Sequence, residues 1–237
     1  MQPQTHKKYP LMKKFLFILS IFIFQFSLIP AQPSHDWAKF GFYAAKNAEL
    51  KAQHTPVSVV FYGNSITQIW DEIHPEFFTS NGFIGRGIGG QTSSELLVRF
   101  RQDVIDLHPE TVVILCGTND IAQNNGIIEP GHILGNIISM CELAQANRIR
   151  PVLCSPLPAR SFYWHPSITD VPQKIRALNE LIRAYAQQHD ILFVDYYSAM
   201  VDEDGGLKPG LTDDEVHPTL AGYAVMEPII LSALRSH

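Results

Sequence analysis

Cysteine is scarce in this 237-residue chain: Cys116, Cys141 and Cys154 are the only three, all within apolar segments. An odd set of three permits at most one disulfide, which excludes a disulfide-stapled scaffold and leaves stability to a hydrophobic core. Glycine (15) and proline (16) stand at ordinary levels, so collagen-like and low-complexity architectures are excluded as well. Charged residues make up only 17% against 46% hydrophobic, a balance that fits neither a disordered chain nor a coiled coil. Basic runs are missing after residue 31. All 23 Asp and Glu lie beyond that point, whereas four of the 18 basic residues (Lys7, Lys8, Lys13, Lys14) precede it. So acidic a body repels phosphate backbones and argues against a nucleic-acid partner. Nor is there an H-E-x-x-H, a C-x-x-C or a clustered His/Asp ligand set, so no metal and no other cofactor is expected.

What the chain does have begins at its N-terminus. Lys13 and Lys14 precede the 15-residue apolar run 15–29, too short for the roughly 20 residues that span a bilayer. A basic region, a short apolar region and then Pro30-Ala31-Gln32 read as a secretory signal peptide over 1–31. Cleavage is expected near Ala31, with an uncleaved anchor as the alternative. The expectation is a secreted or periplasmic protein without stable membrane insertion after cleavage, and a single domain over 32–237.

That domain alternates strand and helix patterns. Residues 37–52 read as an amphipathic helix with Trp37, Phe40, Ala44 and Ala48 on one face. The β-branched run 57–62 has the continuous apolar character of a strand buried on both faces. Further strands are expected at 83–84, 111–116, 150–154 and 191–194, and helices at 92–107, 131–146, 172–189 and from 219 to near the end. Such alternation requires parallel pairing with right-handed crossovers, hence a three-layer α/β/α sandwich on a five-stranded parallel sheet. Function in such folds gathers at the C-terminal ends of the strands.

The residues after each strand carry the chemistry. Gly63-Asn64-Ser65 follows the first, placing a serine at a helix start, where it can be a cap or a nucleophile. Position 67 is threonine, so this is not the G-x-S-x-G elbow. Gly85, Gly87 and Gly90 after the second strand match G-x-G-x-x-G in form. The acidic residue that dinucleotide binding needs after the next strand is missing, because Cys116-Gly117-Thr118 stands there. Asn119, after the third strand, offers an amide donor or satisfies loop carbonyls. Asp214 and His217 lie three residues apart, so one turn places both side chains together, and a carboxylate on one imidazole nitrogen leaves the other as a base.

Taken in order, Gly63-Asn64-Ser65, Gly87-Ile88-Gly89-Gly90, Gly117-Thr118-Asn119-Asp120 and Asp214-x-x-His217-Pro218 resemble the four blocks of the SGNH (GDSL) hydrolases. The resemblance spans residues 55–230. It implies a flavodoxin-like sandwich and an esterase mechanism with Ser65 as nucleophile, His217 as general base and Asp214 orienting it. The oxyanion hole would comprise the Ser65 amide, the Gly90 amide and the Asn119 side chain. Asn64 departs from the family's usual aspartate at a position the chemistry does not use. The bacterial branch similar to platelet-activating-factor acetylhydrolase looks nearest, and relatives there deacetylate sugars.

Around these blocks, Arg86 is read either as a partner for a substrate carboxylate or as part of a structural salt bridge. Gln91 flanks the oxyanion glycine. The loop 155–166 should overhang the site, with Phe162, Tyr163 and Trp164 as a sugar-stacking or acyl-binding wall, or with two of the three packing the loop down. The favoured substrate is a small-molecule or glycan ester, above all a carbohydrate O-acetyl ester. A lysophospholipase or thioesterase, an acyltransferase and a non-catalytic glycan-binding protein are the alternatives.

Overall fold

A computed structural model describes residues 36–236, so the segment 1–31 read as a signal peptide lies outside the described residues. Five strands form one parallel sheet: β1 (Val59–Gly63), β2 (Phe83–Gly87), β3 (Thr111–Leu115), β4 (Arg150–Cys154) and β5 (Leu192–Val194), ordered β2-β1-β3-β4-β5. The order reverses at β1, so the loops after β1, β2 and β3 open onto one crevice.

Alternation along the strands explains the three layers. Val60 and Tyr62 point to one face, where they pack with Val112 and Ile114 against α4 (Ser93–Asp103), α6 (Pro130–Ala146) and α7 (Val171–Gln188). Val59 and Phe61 point to the other, packing with α2 (Ser65–Ile73), α3 (Pro75–Asn81) and α9 (Leu220–Arg235). Both faces are buried, which is why the strands read as continuous apolar runs rather than alternating ones. Trp70 anchors the second layer, stacked on Tyr223 at 5.2 Å and on Phe77 at 4.9 Å. Short helices α5 (Thr118–Ile121) and α8 (Tyr196–Met200) complete the set that follows α1 (Ala44–Ala52).

Expected strands and long helices fall within a few residues of the observed ones, and Thr92 caps α4 through a capping box with Glu95. Helix α1 departs from expectation. It begins only at Ala44, and Trp37, Phe40, Ala44 and Ala48 are exposed, while Tyr43 and Asn47 are buried. Its inward face is polar: the Tyr43 hydroxyl donates to Gly87 O at 2.5 Å, and the Asn47 amide joins Arg86 and Asp103. Hydrophobic periodicity cannot find a face held by hydrogen bonds. The three cysteines are free and buried. Among the described residues no helix is long and apolar enough to cross a membrane.

Candidate active site

Ser65 is the first residue of α2, directly after β1. The Asn64 side chain caps the helix by accepting from Ile66 N–H at 3.1 Å, a role asparagine fills as well as aspartate, and one that leaves the Ser65 N–H uncapped. The turn is tight. A Cβ at Gly87 would stand 2.6 Å from Asn64 O and 2.7 Å from Thr67 Cβ, so only glycine lets β2 close against it.

The segment before α9 brings His217 to this serine. Ser65 Oγ lies 2.8 Å from His217 Nε2, and His217 Nδ1 lies 2.6 Å from Asp214 Oδ2. The other Asp214 oxygen accepts from the backbone N–H of His217 at 2.7 Å and of Val216 at 3.0 Å. Glu215 adopts φ +71° to make this turn, and a bridge between Thr212 and Pro218 closes it. Partial burial alone would raise the Asp214 carboxyl. The hydrogen bonds from the His217 backbone, the His217 ring and Val216 outweigh it and hold the group below its ordinary value. An aspartate that accepts from Nδ1–H leaves Nε2 as an acceptor for the serine hydroxyl.

Ser65 heads the three donors expected in an oxyanion hole. Its own N–H belongs to the unpartnered first turn of α2. Gly90 stands at φ +80°, a conformation glycine adopts without strain. Asn119 donates one Nδ2 hydrogen to Gln91 O at 2.9 Å and keeps the second. Gln68, which sequence reasoning missed, accepts the Gly89 N–H at 2.7 Å and so fixes the loop just before Gly90. Asp120, named in the third block without a role, takes the Ser93 N–H and hydroxyl on its carboxylate, pinning the Asn119 turn to α4. Burial raises the Asp120 carboxyl, and these Ser93 bonds oppose the rise. The spacing of Gln68, three residues after Ser65 on one helix face, was the available signal.

Arg86, Gln91 and Phe162, expected as substrate contacts, are buried side chains with partners inside the protein. Arg86 is buried, with Nε on Asn47 Oδ1 at 2.8 Å and Nη1 on Gly85 O, its guanidinium over the Tyr43 ring. Among the described residues no carboxylate forms a salt bridge with it, so its partners are an amide, a carbonyl and a ring. Gln91 is buried between Arg99 Nε and Ala38 O. Phe162 is fully buried in the core and packs the loop down. Trp164, by contrast, is half-buried beside His217, ring centroids 6.5 Å apart, and Tyr163 is 66% exposed with its ring edge-on to Trp164.

A serine, a histidine and an aspartate in hydrogen-bonded series at the crevice of a parallel sheet, beside a glycine loop and an asparagine, define a hydrolase of the acyl-transfer class. The chain belongs to the GDSL-like lipase/acylhydrolase family, whose model matches residues 61–225, and that family is one of carboxylic ester hydrolases. A solved structure from Bacteroides fragilis is 53% identical, TM-score 0.81, over 85% of this chain and 98% of that one. A GDSL-like lipase from Bacteroides thetaiotaomicron is 49% identical, TM-score 0.81, over 85% and 99%. An acetylxylan esterase from Geobacillus stearothermophilus is 24% identical over 147 residues, 60% of this chain and 67% of its own. The chain spans 58% and 67% of the length of the two curated relatives it matches.

Proposed function

We propose that the protein is an exported serine esterase that removes short acyl groups, above all acetyl, from carbohydrate esters. The observation that carries the reading is the unbroken Ser65–His217–Asp214 series of 2.8 and 2.6 Å. His217 Nε2 takes the Ser65 proton as Oγ attacks the ester carbonyl. Ser65 N–H, Gly90 N–H and the spare Asn119 Nδ2 hydrogen receive the developing oxyanion. His217 then protonates the departing alcohol, and water activated by the same nitrogen hydrolyses the acyl-enzyme and restores Ser65. The carbohydrate assignment is supported by the polar, aromatic-flanked surroundings of the site and by the likeness to an acetylxylan esterase. Export rests on the leader read in the sequence.

Initial rates on p-nitrophenyl acetate and p-nitrophenyl octanoate, for the protein and its Ser65→Ala variant, test the reading. Acetate preference abolished by Ser65→Ala is expected. Octanoate preference would favour a lipid acylhydrolase, and equal rates for protein and variant would remove Ser65 from the chemistry.

A further inference from the structure

A cleft of about 430 Å³ opens beside the oxyanion loop, lined by Gly89 and Gly90 and, across from them, by Asn124 and Trp164. Two of its residues neighbour the serine and the histidine. A Cβ on Gly89 would stand 3.7 Å from Ser65 Cβ, and Trp164 is the ring that neighbours His217. One amide pins both walls: Asn124 Nδ2 donates to Gly90 O at 3.0 Å, and Asn124 Oδ1 accepts from Trp164 Nε1 at 2.9 Å. The cleft is therefore built in advance of any ligand.

Its lining has a definite chemical character. Lys39 and Gln123 both line it and both hold φ +56°, a left-handed conformation costing a non-glycine residue about 1–2 kcal/mol. Lys39 Nζ donates to Gly89 O at 3.3 Å, which leaves two ammonium hydrogens for a ligand. Glu95 also lines the cleft, its Oε2 accepting from Thr92 N–H and Asn125 Nδ2. Among Asp, Glu, Lys and Arg, these two are the ones that line it, so their charges cancel.

We infer that this cleft is the subsite for the alcohol half of the ester and that it takes a neutral sugar ring. The inference rests on the esterase reading above. Sugar hydroxyls both donate and accept, as a cleft holding an ammonium, amides and a carboxylate requires, and a pyranose C–H face packs on the Trp164 indole. An acyl chain offers those polar groups no partner. An acidic sugar or a phosphate would find no net positive charge there to offset its lost hydration.

The test compares mono-O-acetyl methyl glucosides with the matching methyl glucuronides, which differ only in the carboxylate, with p-nitrophenyl acetate as reference ester. We expect kcat/KM to favour the glucosides by about tenfold, the scale of one uncompensated charge contact. Gln123→Ala should raise KM for the glucoside acetate about fivefold with kcat within about twofold, because a contact kept equally in ground and transition states acts on KM. Glucuronides cleaved as well or better, or a Gln123→Ala loss confined to kcat, would overturn the subsite and leave the esterase reading standing. Both sugar acetates inert while p-nitrophenyl acetate is turned over would overturn the carbohydrate reading itself.

Discussion

The Tyr223 hydroxyl donates to Ile66 O at 2.7 Å, tying the first turn of α9 to the first turn of α2. His217 precedes one of these helices and Ser65 begins the other, so this buried bond holds together two halves of the site that lie 152 residues apart in sequence. Burial raises the Tyr223 phenol far above its ordinary value and keeps it a donor. Tyr223→Phe is expected to cost about 1–2 kcal/mol, the loss of one buried hydrogen bond. A thermal midpoint lowered by about 2–8 °C checks it, and an unchanged midpoint counts against it.

Asp214→Asn replaces the acceptor facing His217 Nδ1 with an amide that can present its NH2 there, leaving the imidazole in the wrong tautomer. A fall in kcat of about 10³–10⁴, with the fold kept by circular dichroism, is the expected result. A loss under tenfold would mean that His217 needs no orienting partner.

Asn119→Ala should lower kcat about 10²–10³-fold with little change in KM, since the donor acts on charge that exists only in the transition state. Retention of more than a third of wild-type kcat would remove Asn119 from the oxyanion hole.

The lowered Asp214 carboxyl also has a consequence for stability. A carboxyl whose folded-state pKa is depressed contributes stability above its unfolded value of about 4, and loses it as pH falls through the folded value. The gap in urea midpoint between the protein and Asp214→Asn should therefore be largest near neutrality and close as pH drops below about 4. A gap independent of pH would contradict the assignment.

Arg99 is fully buried, with Nη1 on Asp103 at 2.9 Å, Nη2 on Gly63 O at 3.0 Å and Nε on Gln91. Arg99→Met would leave the buried Asp103 carboxylate without its cation, held only by the Asn47 amide. The expected cost is about 3–5 kcal/mol, read as a large fall in urea midpoint. Arg99→Lys should recover little, because one ammonium cannot reproduce three diverging donors.

The order of strands and helices was legible because each strand is buried on both faces, and glycines or prolines punctuate the joints between elements. The four blocks were legible because a serine at a helix start, or an Asp three residues before a His, is a local arrangement, and local spacing survives into the fold. The aromatic loop was legible only as a group. Phe162, Tyr163 and Trp164 are consecutive, yet one is buried, one exposed and one set against His217, and that allotment depends on what each meets across the loop.

Arg86 and Lys39 show where local reading ends. Both are cations beside the glycine loop, one by sequence and one by folding. Arg86 sits on a strand facing α1, so Asn47 and Tyr43 absorb it; Lys39 stands 50 residues before Gly89, yet its ammonium reaches that carbonyl. By itself the amino-acid sequence determined the layered fold and the residues able to do the chemistry, because hydrophobic period and short spacings are properties of neighbouring residues. Only the tertiary structure decided which side chains face the cleft, because that follows from contacts between segments far apart in the chain.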